Sequence, residues 1–396
     1  MKLLFYRYGS ICEPDVIDGF QELGHTVREI TTEMTNKSLT PQESIQIVSN
    51  ALLEHPVDFV FSINFFPFLS EVCKIFRLPY LCWTVDSPVM ELFATSIANP
   101  YNRIFLFDRA QYEEISPLNP GHVFHLPLAV NVRQKQGCIR SSSAALRKKF
   151  TSDISFVGSL YTEKCPYDRL NDAPAYLSGY LDGLMEAQLR IYGGYIVEDL
   201  LTDEIVEEFK AHLPGFFQYP FDSYLTDRKT MSELYIGNKI SSIERLRVMQ
   251  LLSARFPVDL YTASDTSCLP HIHNRGLAKT LEEMPIIFHN SKINLNITSK
   301  SIRSGLPLRI FDILGCSGFV LTNFQPELAE LFVPGEDLVY YENLDDLVGK
   351  ADYFLHHEAE RREIAENGFA RVQKYHTYPI RLTQMLEIAF TKQTAP

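Results

Sequence analysis

The segment Lys292–Gly315 constrains the fold of this chain more than any other part of the sequence. Within it, Ile293–Thr298 alternates apolar and polar residues and is rich in β-branched side chains, as in a buried strand. Gly305 breaks this pattern, and Pro307 suits the first turn of a helix, where no backbone N–H is needed. The segment therefore predicts a strand, a polar basic loop and a short helix over Leu308–Leu314.

A strand followed by a loop and a helix N-terminus is the unit that binds phosphate in open α/β sheets. Free backbone amides and the positive end of the helix dipole both point toward the anion. Lys300 and Arg303 add positive charge to this loop. Arg309 and Asp312 are three residues apart and therefore share one face of the helix. The sequence thus predicts an anion-binding loop.

Strands alternate with helices along both halves of the chain. This order indicates a parallel, doubly wound sheet in each half, and so an α/β fold. In the first half, strands are predicted at Leu3–Tyr6, His25–Glu29, Val57–Phe61, Tyr80–Trp83, Arg103–Phe107 and His122–His125. In the second half, they are predicted within Asp153–Ser159 and at Val258–Thr262, Ile293–Thr298, Phe319–Thr322 and Leu338–Tyr341.

The domain organisation follows from length and local composition. A chain of 396 residues favours two domains over one. Residues 1–150 are predicted to form the first domain, with the polar and basic stretch Val132–Lys149 as the linker to the second. Residues 151–377 form the second domain, with a mostly helical insertion near 165–245, and 378–396 form a terminal helix.

Composition and charge exclude several classes of protein. Hydrophobic residues make up 45% of the chain and charged residues 22%, so a large core is expected and disorder is not. The formal net charge of −12 argues against non-specific nucleic-acid binding and against a basic membrane-binding surface. No apolar run is long enough to span a membrane. We therefore expect neither nucleic acid nor a membrane span among the partners of this chain.

Cysteine usage and the first residues predict a cytoplasmic protein. The seven cysteines are scattered, odd in number and without a Cys-x-x-Cys motif, which favours reduced and mostly buried thiols. Met1–Arg7 has an early charge and a short apolar run, so we expect a first strand there and not a signal peptide.

Several segments, in order along the chain, resemble the GT-B glycosyltransferases, and most closely their CgeB-type spore-maturation branch. The resemblance implies two Rossmann-like domains that face a cleft, with the nucleotide-sugar donor on the second and the acceptor on the first. It also implies a last helix that crosses back to the first domain. The matching segments are Ile293–Thr298, Arg303–Asp312, Gly318–Glu327, Leu331–Gly335 and His376–Tyr378.

The same resemblance implies roles for residues of the basic loop and helix. In GT-B enzymes a carboxylate at the position of Asp312 holds the ribose hydroxyls of the donor nucleotide. Arg303 and Arg309 are further candidate donor-binding residues of this segment. In these enzymes a second acid precedes that carboxylate by eight residues, where this chain has Ser304. The donor-sugar contact of that acid is therefore in doubt for Ser304. The alternative is that Arg309 and Asp312 form an ordinary surface pair.

Other strand ends supply further candidate donor-binding residues. Gly158 and Ser159 follow a predicted strand and could offer backbone amides to a phosphate. Asn296 lies near the end of its strand, where it either faces the cleft or is buried and hydrogen-bonded. Asn323 and Gln325 follow the next strand and should reach the same crevice.

In the first half, Asp86 is the candidate catalytic base. It follows a strand that ends in the only tryptophan, Trp83, and this segment also resembles the CgeB-type group. Transfer to a hydroxyl needs a base within hydrogen-bond reach. The alternative is that Asp86 caps a helix after Pro88. Asp108, expected to be a helix cap, and His125 are the competing groups.

No metal or other cofactor is predicted. The chain has no Asp-x-Asp motif, and Pro270–His273 has no third ligand at a diagnostic spacing. Helix dipole and basic side chains would then stabilise the leaving diphosphate. The predicted function is metal-independent sugar transfer from a nucleotide-diphosphate sugar to a hydroxyl of a glycan or related acceptor, in polysaccharide or spore-coat synthesis. The alternatives are a non-catalytic nucleotide-sugar or glycan-binding protein and a GT-B-fold epimerase.

Overall fold

The computed structural model describes residues 1–163 and 165–391, which divide into two compact units. Unit 1 comprises Met1–Asn131, Tyr219–Leu225 and, at the end of the described chain, residues 375–391. Unit 2 comprises Val132–Gln218 and Thr226–Lys374. Each unit contains a parallel sheet covered by helices, which confirms the predicted α/β class with two doubly wound sheets.

The sheet of unit 1 is parallel, with the strand order β2-β1-β3-β4-β5-β6. Its central strands are buried along their whole length because helices cover both faces, as is usual in parallel sheets. One prediction, Val57–Phe61, is shifted by two residues, since the observed strand begins only at Phe59. The strands are β1 (Lys2–Tyr6), β2 (Thr26–Ile30), β3 (Phe59–Ile63), β4 (Tyr80–Trp83), β5 (Asn102–Leu106) and β6 (Val123–His125).

The helices of unit 1 begin at residues that satisfy their first backbone amides. Thr40 and Glu43 form a reciprocal capping box at one helix. The Asp108 side chain accepts from Ala110 N, which confirms its predicted role as a cap. These helices are α1 (Glu13–Glu22), α2 (Thr32–Thr35), α3 (Pro41–Glu54), α4 (Pro67–Phe76) and α5 (Arg109–Ile115), with 3₁₀ turns at Met90–Phe93, Thr95–Ala98 and Ser116–Leu118.

The sheet of unit 2 is also parallel, with the strand order β12-β11-β10-β7-β8-β9. Its third strand ends at Asn296, two residues before the predicted end, so Thr298 lies in the following loop. The strands are β7 (Ser152–Val157), β8 (Val258–Tyr261), β9 (His273–Asn274), β10 (Ser291–Asn296), β11 (Val320–Asn323) and β12 (Val339–Tyr341).

The helices of unit 2 include the predicted helical insertion, which has an apolar core of its own around Leu181, Phe209 and Tyr235. A 3₁₀ turn at Pro166–Arg169 and a π-helical turn at Met231–Gly237 also belong to this region. The helices are α6 (Val132–Ser141), α7 (Ala144–Lys149), α8 (Ala175–Leu189), α9 (Val197–Leu200), α10 (Asp203–Ala211), α11 (Asp227–Thr230), α12 (Asn238–Ser253), α13 (Met284–Asn290), α14 (Leu308–Gly315), α15 (Leu328–Leu331), α16 (Leu344–His356) and α17 (Glu358–Tyr375).

The stretch Val132–Lys149 is not the linker that its composition suggested. It forms α6 and α7, which belong to unit 2, and the division between the units falls after Asn131 and not at residue 150. The stretch has few apolar residues because α6 buries mainly Lys135 and Ile139, one helical turn apart. The buried lysine is paired with a carboxylate of unit 2, so a polar residue occupies a core position.

The terminal helix α18 (Tyr378–Thr391) lies in unit 1, where it packs against α1. Gly19 of α1 allows this close approach, since a Cβ there would lie 2.8 Å from Leu382 Cδ1. Trp83 contacts the ring of Tyr378 at a centroid distance of 6.0 Å. A short piece of the predicted insertion, Tyr219–Leu225, also belongs to unit 1, where Tyr224 N donates to Phe93 O.

Two expectations from composition can be compared with the described residues. The cysteine side chains are mostly buried, as predicted, with Cys268 exposed. No helix in the described part of the chain is both long and apolar enough to cross a membrane.

Candidate functional site

A recess lies at the carboxyl ends of β10 and β11 in unit 2. It brings together three of the predicted donor-binding residues, Arg303, Asn323 and Gln325, with Lys300 of the same basic loop. Carboxyl ends of parallel strands are the usual place for ligands in open α/β sheets. The rest of the lining comes from Ile191, Gly193, Gly194, Thr298, Ser299 and Ile302.

Two of the predicted residues hold the basic loop in place. Asn323 Oδ1 accepts from Thr298 N at 2.7 Å, and Gln325 Nε2 donates to Ile302 O at 3.1 Å. Both side chains are buried, with 3% exposure each. They thereby fix the backbone on either side of Lys300, so that the loop is ordered before any ligand arrives.

Lys300 is held in the recess by a buried ion pair that sequence reasoning did not foresee. Its Nζ lies 3.0 Å from Glu244 Oε1 and 4.4 Å from the ring centroid of Tyr192. Glu244 comes from α12, which is far away in the sequence. Burial, and then the negative charge of Glu244, raise the pKa of Tyr192 above its usual range. The pair places an ammonium group at the recess without leaving it unpaired in the interior.

Asn296 lies beneath the recess and is buried. Its Nδ2 donates to Thr298 Oγ1 at 3.0 Å and to Thr322 Oγ1 at 2.9 Å. Both amide hydrogens are therefore used inside the protein. Of the two alternatives from the sequence, the structure has the buried and hydrogen-bonded one, so Asn296 supports the loop.

The turn after β7 differs from its predicted role. The Gly158 N–H donates to Tyr261 O at 3.0 Å because the ladder between β7 and β8 continues past Val157. This amide is therefore occupied, contrary to the prediction that it could be offered to a phosphate. The Ser159 hydroxyl donates to Glu163 Oε1 at 2.9 Å.

Two guanidinium groups border this turn. Arg245 donates to Ser159 O at 2.6 Å and to Ile297 O at 2.8 Å, while Arg309 donates to Val157 O. Burial lowers the pKa of both arginines from its usual value. Arg245 was missed from the sequence because it lies within the helical insertion, where no motif marks it.

Arg309 and Asp312 do not form the surface pair that was the alternative from the sequence. Asp312 is buried and lies 3.1 Å from Lys135 Nζ of α6. Arg309 is directed toward β7 and packs over the ring of Phe288, 5.5 Å from its centroid. The two residues share one helix, but each has a partner from a different element.

This chain has Ser304 where the GT-B motif has its first acid, but the carboxylate of Glu327 lies beside that serine. Its Oγ donates to Glu327 Oε1 at 2.8 Å. Glu327 stands at the start of α15, where its side chain does not cap the helix, and it is buried. An acid from the next loop thus occupies this part of the site.

A second polar cluster lies at the carboxyl edge of the sheet in unit 1. Asp86 is exposed and follows β4, as predicted. Asn64 Nδ2 donates to Asp86 Oδ2 at 2.7 Å and to Tyr8 Oη at 2.9 Å. The next helical turn begins at Met90 and has no side-chain cap, so the alternative role of Asp86 as a helix cap is not observed. The sequence signal for Asn64 is its position directly after β3.

A buried carboxylate orders the loop that carries Tyr8. Glu13 is fully buried and accepts from Tyr8 N at 2.9 Å and from Gly9 N at 3.0 Å. Its other oxygen pairs with Arg7 Nε at 3.1 Å. His125, the competing candidate base, ends β6, and its ring lies 6.3 Å from that of Tyr112.

Comparison with known proteins relates the segment that carries this recess to one family. Residues 247–387 match the model of a family described as glycosyl transferase-like. This segment includes the basic loop, α14, and both Asn323 and Gln325, but not Arg245. No curated protein sequence matches the chain.

Solved structures similar to this one extend over both units. A glycosyltransferase from Rickettsia africae has 12% sequence identity and a TM-score of 0.55, and the alignment covers 99% of each chain. HepE from Anabaena, solved with UDP-glucose, has 11% identity and a TM-score of 0.55, with 98% of each chain covered. Sucrose-phosphate synthase from Thermosynechococcus elongatus has 10% identity and a TM-score of 0.56, with 98% of each chain covered.

At such low identity these structures establish the fold alone. The chain therefore has the GT-B fold, and its residues 247–387 are similar to a glycosyl transferase-like family.

Proposed function

We propose that this protein transfers a sugar from a nucleoside-diphosphate sugar to a hydroxyl of a glycan or related acceptor, without a metal ion. The observation that carries the proposal is the recess of unit 2. It places Lys300 and Arg303 on an ordered loop at the carboxyl edge of a parallel sheet. This loop lies within the segment that matches the glycosyltransferase family.

The donor is assigned to this recess by charge. A chain with a net charge of −12 needs a local positive site to hold a diphosphate. Lys300 and Arg303 supply positive charge at the recess, and the lysine is already ordered by its buried partner Glu244. The Anabaena HepE structure was solved with UDP-glucose, so UDP-glucose is the first donor to test.

Asp86 is proposed as the general base for the acceptor. It takes the proton of the acceptor hydroxyl as the hydroxyl oxygen forms a bond to the anomeric carbon of the donor sugar. The bond from this carbon to the diphosphate oxygen breaks, and the diphosphate leaves with the electron pair. Lys300 and Arg303 stabilise the negative charge on this leaving group, the role that a metal ion has in other transferases.

The finer assignments rest on the sequence. The CgeB-type resemblance supports surface or spore-coat polysaccharide as the product, and the cysteine pattern supports a cytoplasmic location. The resemblance also supports ribose binding by Asp312. That contact requires the Asp312 carboxylate to leave Lys135 or to bind the ribose while it remains paired.

The test is an incubation of the pure chain with a panel of nucleotide sugars and simple glycoside acceptors, analysed by mass spectrometry. We expect a glycosylated product and a released nucleoside diphosphate, in equal yield with and without excess EDTA. Loss of activity in EDTA and its recovery with Mg²⁺ or Mn²⁺ would contradict the metal-independent mechanism.

The same incubation separates the alternative functions. Conversion of the donor into its epimer without transfer would identify an epimerase. Saturable binding of a nucleotide sugar with no product from any acceptor would identify a binding protein.

A further inference from the structure

One amide holds two different polar groups together at the carboxyl edge of the first sheet. Asn64 Nδ2 donates to Tyr8 Oη at 2.9 Å and to Asp86 Oδ2 at 2.7 Å. Its Oδ1 accepts from Val85 N at 3.0 Å, and this backbone donor determines which end of the amide is the nitrogen. The hydroxyl and the carboxylate are therefore held as a pair.

The Tyr8 hydroxyl can donate a hydrogen bond to a ligand. Its oxygen accepts from Asn64, and a side-chain hydrogen bond with Ser10 acts to lower the pKa of Tyr8, as expected when Ser10 is the donor. The phenol hydrogen is therefore left for a ligand. Burial, and then the charge of Asp86, raise the pKa of Tyr8, which keeps the phenol protonated. The edge thus offers one O–H donor beside one carboxylate acceptor, and Asp86 is exposed to a ligand.

The spacing of the pair matches a single hydroxyl group. The two N–H bonds of an amide diverge by roughly 120°, which places the two accepting oxygens about 5 Å apart. An oxygen about 2.8 Å from each of them fits between the two groups. A phosphate or carboxylate does not fit this pair, because Asp86 would repel it and offers it no hydrogen.

The loop that carries Tyr8 is ordered in advance. The buried Glu13 binds the backbone amides of Tyr8 and Gly9 and pairs with Arg7. Asn64 has a left-handed backbone conformation with φ of 58°, which asparagine tolerates better than most residues. A ligand therefore meets a preformed arrangement, which reduces the entropic cost of binding.

We propose that Tyr8, Asn64 and Asp86 form a seat for one hydroxyl of an uncharged polyol. The hydroxyl donates its hydrogen to Asp86 and accepts one from Tyr8. The Asn64 amide nitrogen also borders this position, but both of its hydrogens are bonded to Tyr8 and Asp86, so Asn64 serves to position these two groups. Binding of the polyol in the seat requires no donor and is independent of the proposed transfer reaction. Only the identification of this polyol as the sugar acceptor rests on that proposed function.

The test uses the full chain without donor, with methyl α-D-glucopyranoside as the probe and tetrahydropyran, a ring without hydroxyls, as the control compound. Binding is measured by ligand-observed NMR titration, and folding of each variant by thermal unfolding. We expect the glycoside to bind and tetrahydropyran not to bind. Tyr8→Phe should weaken glycoside binding about two- to tenfold, the effect of one hydrogen bond.

Tyr101→Phe is the matched control variant, because Tyr101 precedes β5 at the opposite edge of the same sheet. It should bind the glycoside as the wild type does. Asn64→Ala should weaken binding more than Tyr8→Phe, since it releases both Tyr8 and Asp86. The loss in the double variant should be smaller than the sum of the two single losses, because part of the effect of Asn64 passes through Tyr8. A merely structural role of Asn64 predicts additive losses.

The same variants are titrated with UDP to distinguish the two proposals. We expect UDP affinity to be unchanged by Tyr8→Phe. The seat is overturned if the wild type binds UDP but not the glycoside, or if Tyr8→Phe binds the glycoside as tightly as the wild type. The proposed function fails separately if no nucleotide sugar binds or reacts, whatever the result with the glycoside.

Discussion

The carboxyl edges of the two sheets share one architecture and differ in charge. In unit 1 this edge presents the exposed carboxylate of Asp86 with Tyr8 and Asn64. In unit 2 the corresponding edge presents Lys300 and Arg303 in its recess. An anionic donor is therefore favoured on the second sheet and an uncharged hydroxyl compound on the first.

The origin of this difference is in the loops and not in the strands. Polar residues of β10 and β11, such as Asn296 and Asn323, hydrogen-bond inside the protein and shape the loop. The charged groups come after the strand ends, at Asp86, Lys300 and Arg303. Two parallel, doubly wound sheets can therefore bind different chemical classes, because function depends on residues placed on a fold.

The largest effect is expected at Asp312. If this residue binds ribose, the donor site of unit 2 contains a carboxylate as well as the basic groups Lys300 and Arg303. Asp312→Ala leaves Lys135 in the interior without this carboxylate, at 3.1 Å in the wild type. Breaking a buried pair in this way costs about 3–5 kcal/mol. We expect this loss in the free energy of unfolding, measured by urea denaturation.

Two variants sharpen this result. Asp153→Ala, which breaks the half-exposed pair with Lys292, should cost about 1 kcal/mol or less. The double variant Lys135→Met with Asp312→Leu should recover most of the stability. The UDP affinity of this folded double variant then tests the predicted ribose contact. Weaker binding than in the wild type supports the contact, and equal binding excludes it.

The next effect concerns the acidic edge of unit 1. Asp86→Asn keeps the shape of the side chain but removes the base, so turnover should fall about 10²-fold or more. UDP affinity should stay nearly unchanged, because the donor is assigned to unit 2. Steady-state kinetics and calorimetry measure the two quantities.

Asp108→Asn is the control for this change, because Asp108 is a buried helix cap at the end of a neighbouring strand. Its turnover should remain within a few-fold of the wild type. If a folded Asp86→Asn protein also turns over within a few-fold of the wild type, Asp86 is not the base and His125 becomes the candidate.

The smallest effect is expected at the positive edge itself. Arg303→Gln removes one charged donor from the recess, so UDP should bind about tenfold more weakly. The exposed Arg362 pairs with the exposed Glu358 on α17, and Arg362→Gln should leave UDP affinity unchanged. Equal UDP affinities of the two variants would remove Arg303 from the donor site.

The elements of the fold were largely predictable. The predicted strand Tyr80–Trp83 coincides with β4, and α18 begins at residue 378 as predicted, because periodic apolar patterns reflect burial directly. The last residues of the predicted helix, 392–396, lie outside the described part of the chain. The segment Val132–Lys149 was not predictable as helices of unit 2. A lysine such as Lys135 normally indicates an exposed position. Here the lysine is buried because it pairs with Asp312, which is distant in the sequence.

The candidate site was predictable in part. Arg303, Asn323 and Gln325 meet in one recess because each follows or ends a strand at the same edge. The occupied amide of Gly158 could not be foreseen, since it depends on how far the ladder with β8 continues. Arg245 and Glu244 come from an insertion with no sequence motif and reach the site only through packing.

The sequence by itself determined the two parallel sheets, the basic loop before α14 and the carboxylate after β4. These follow from local patterns of apolar residues, glycine, proline and charge, which act over short distances along the chain. The tertiary structure decided which polar groups face a ligand and which are used internally. That choice depends on partners distant in sequence, such as Glu244 for Lys300, Glu327 for Ser304 and Asn64 for Asp86.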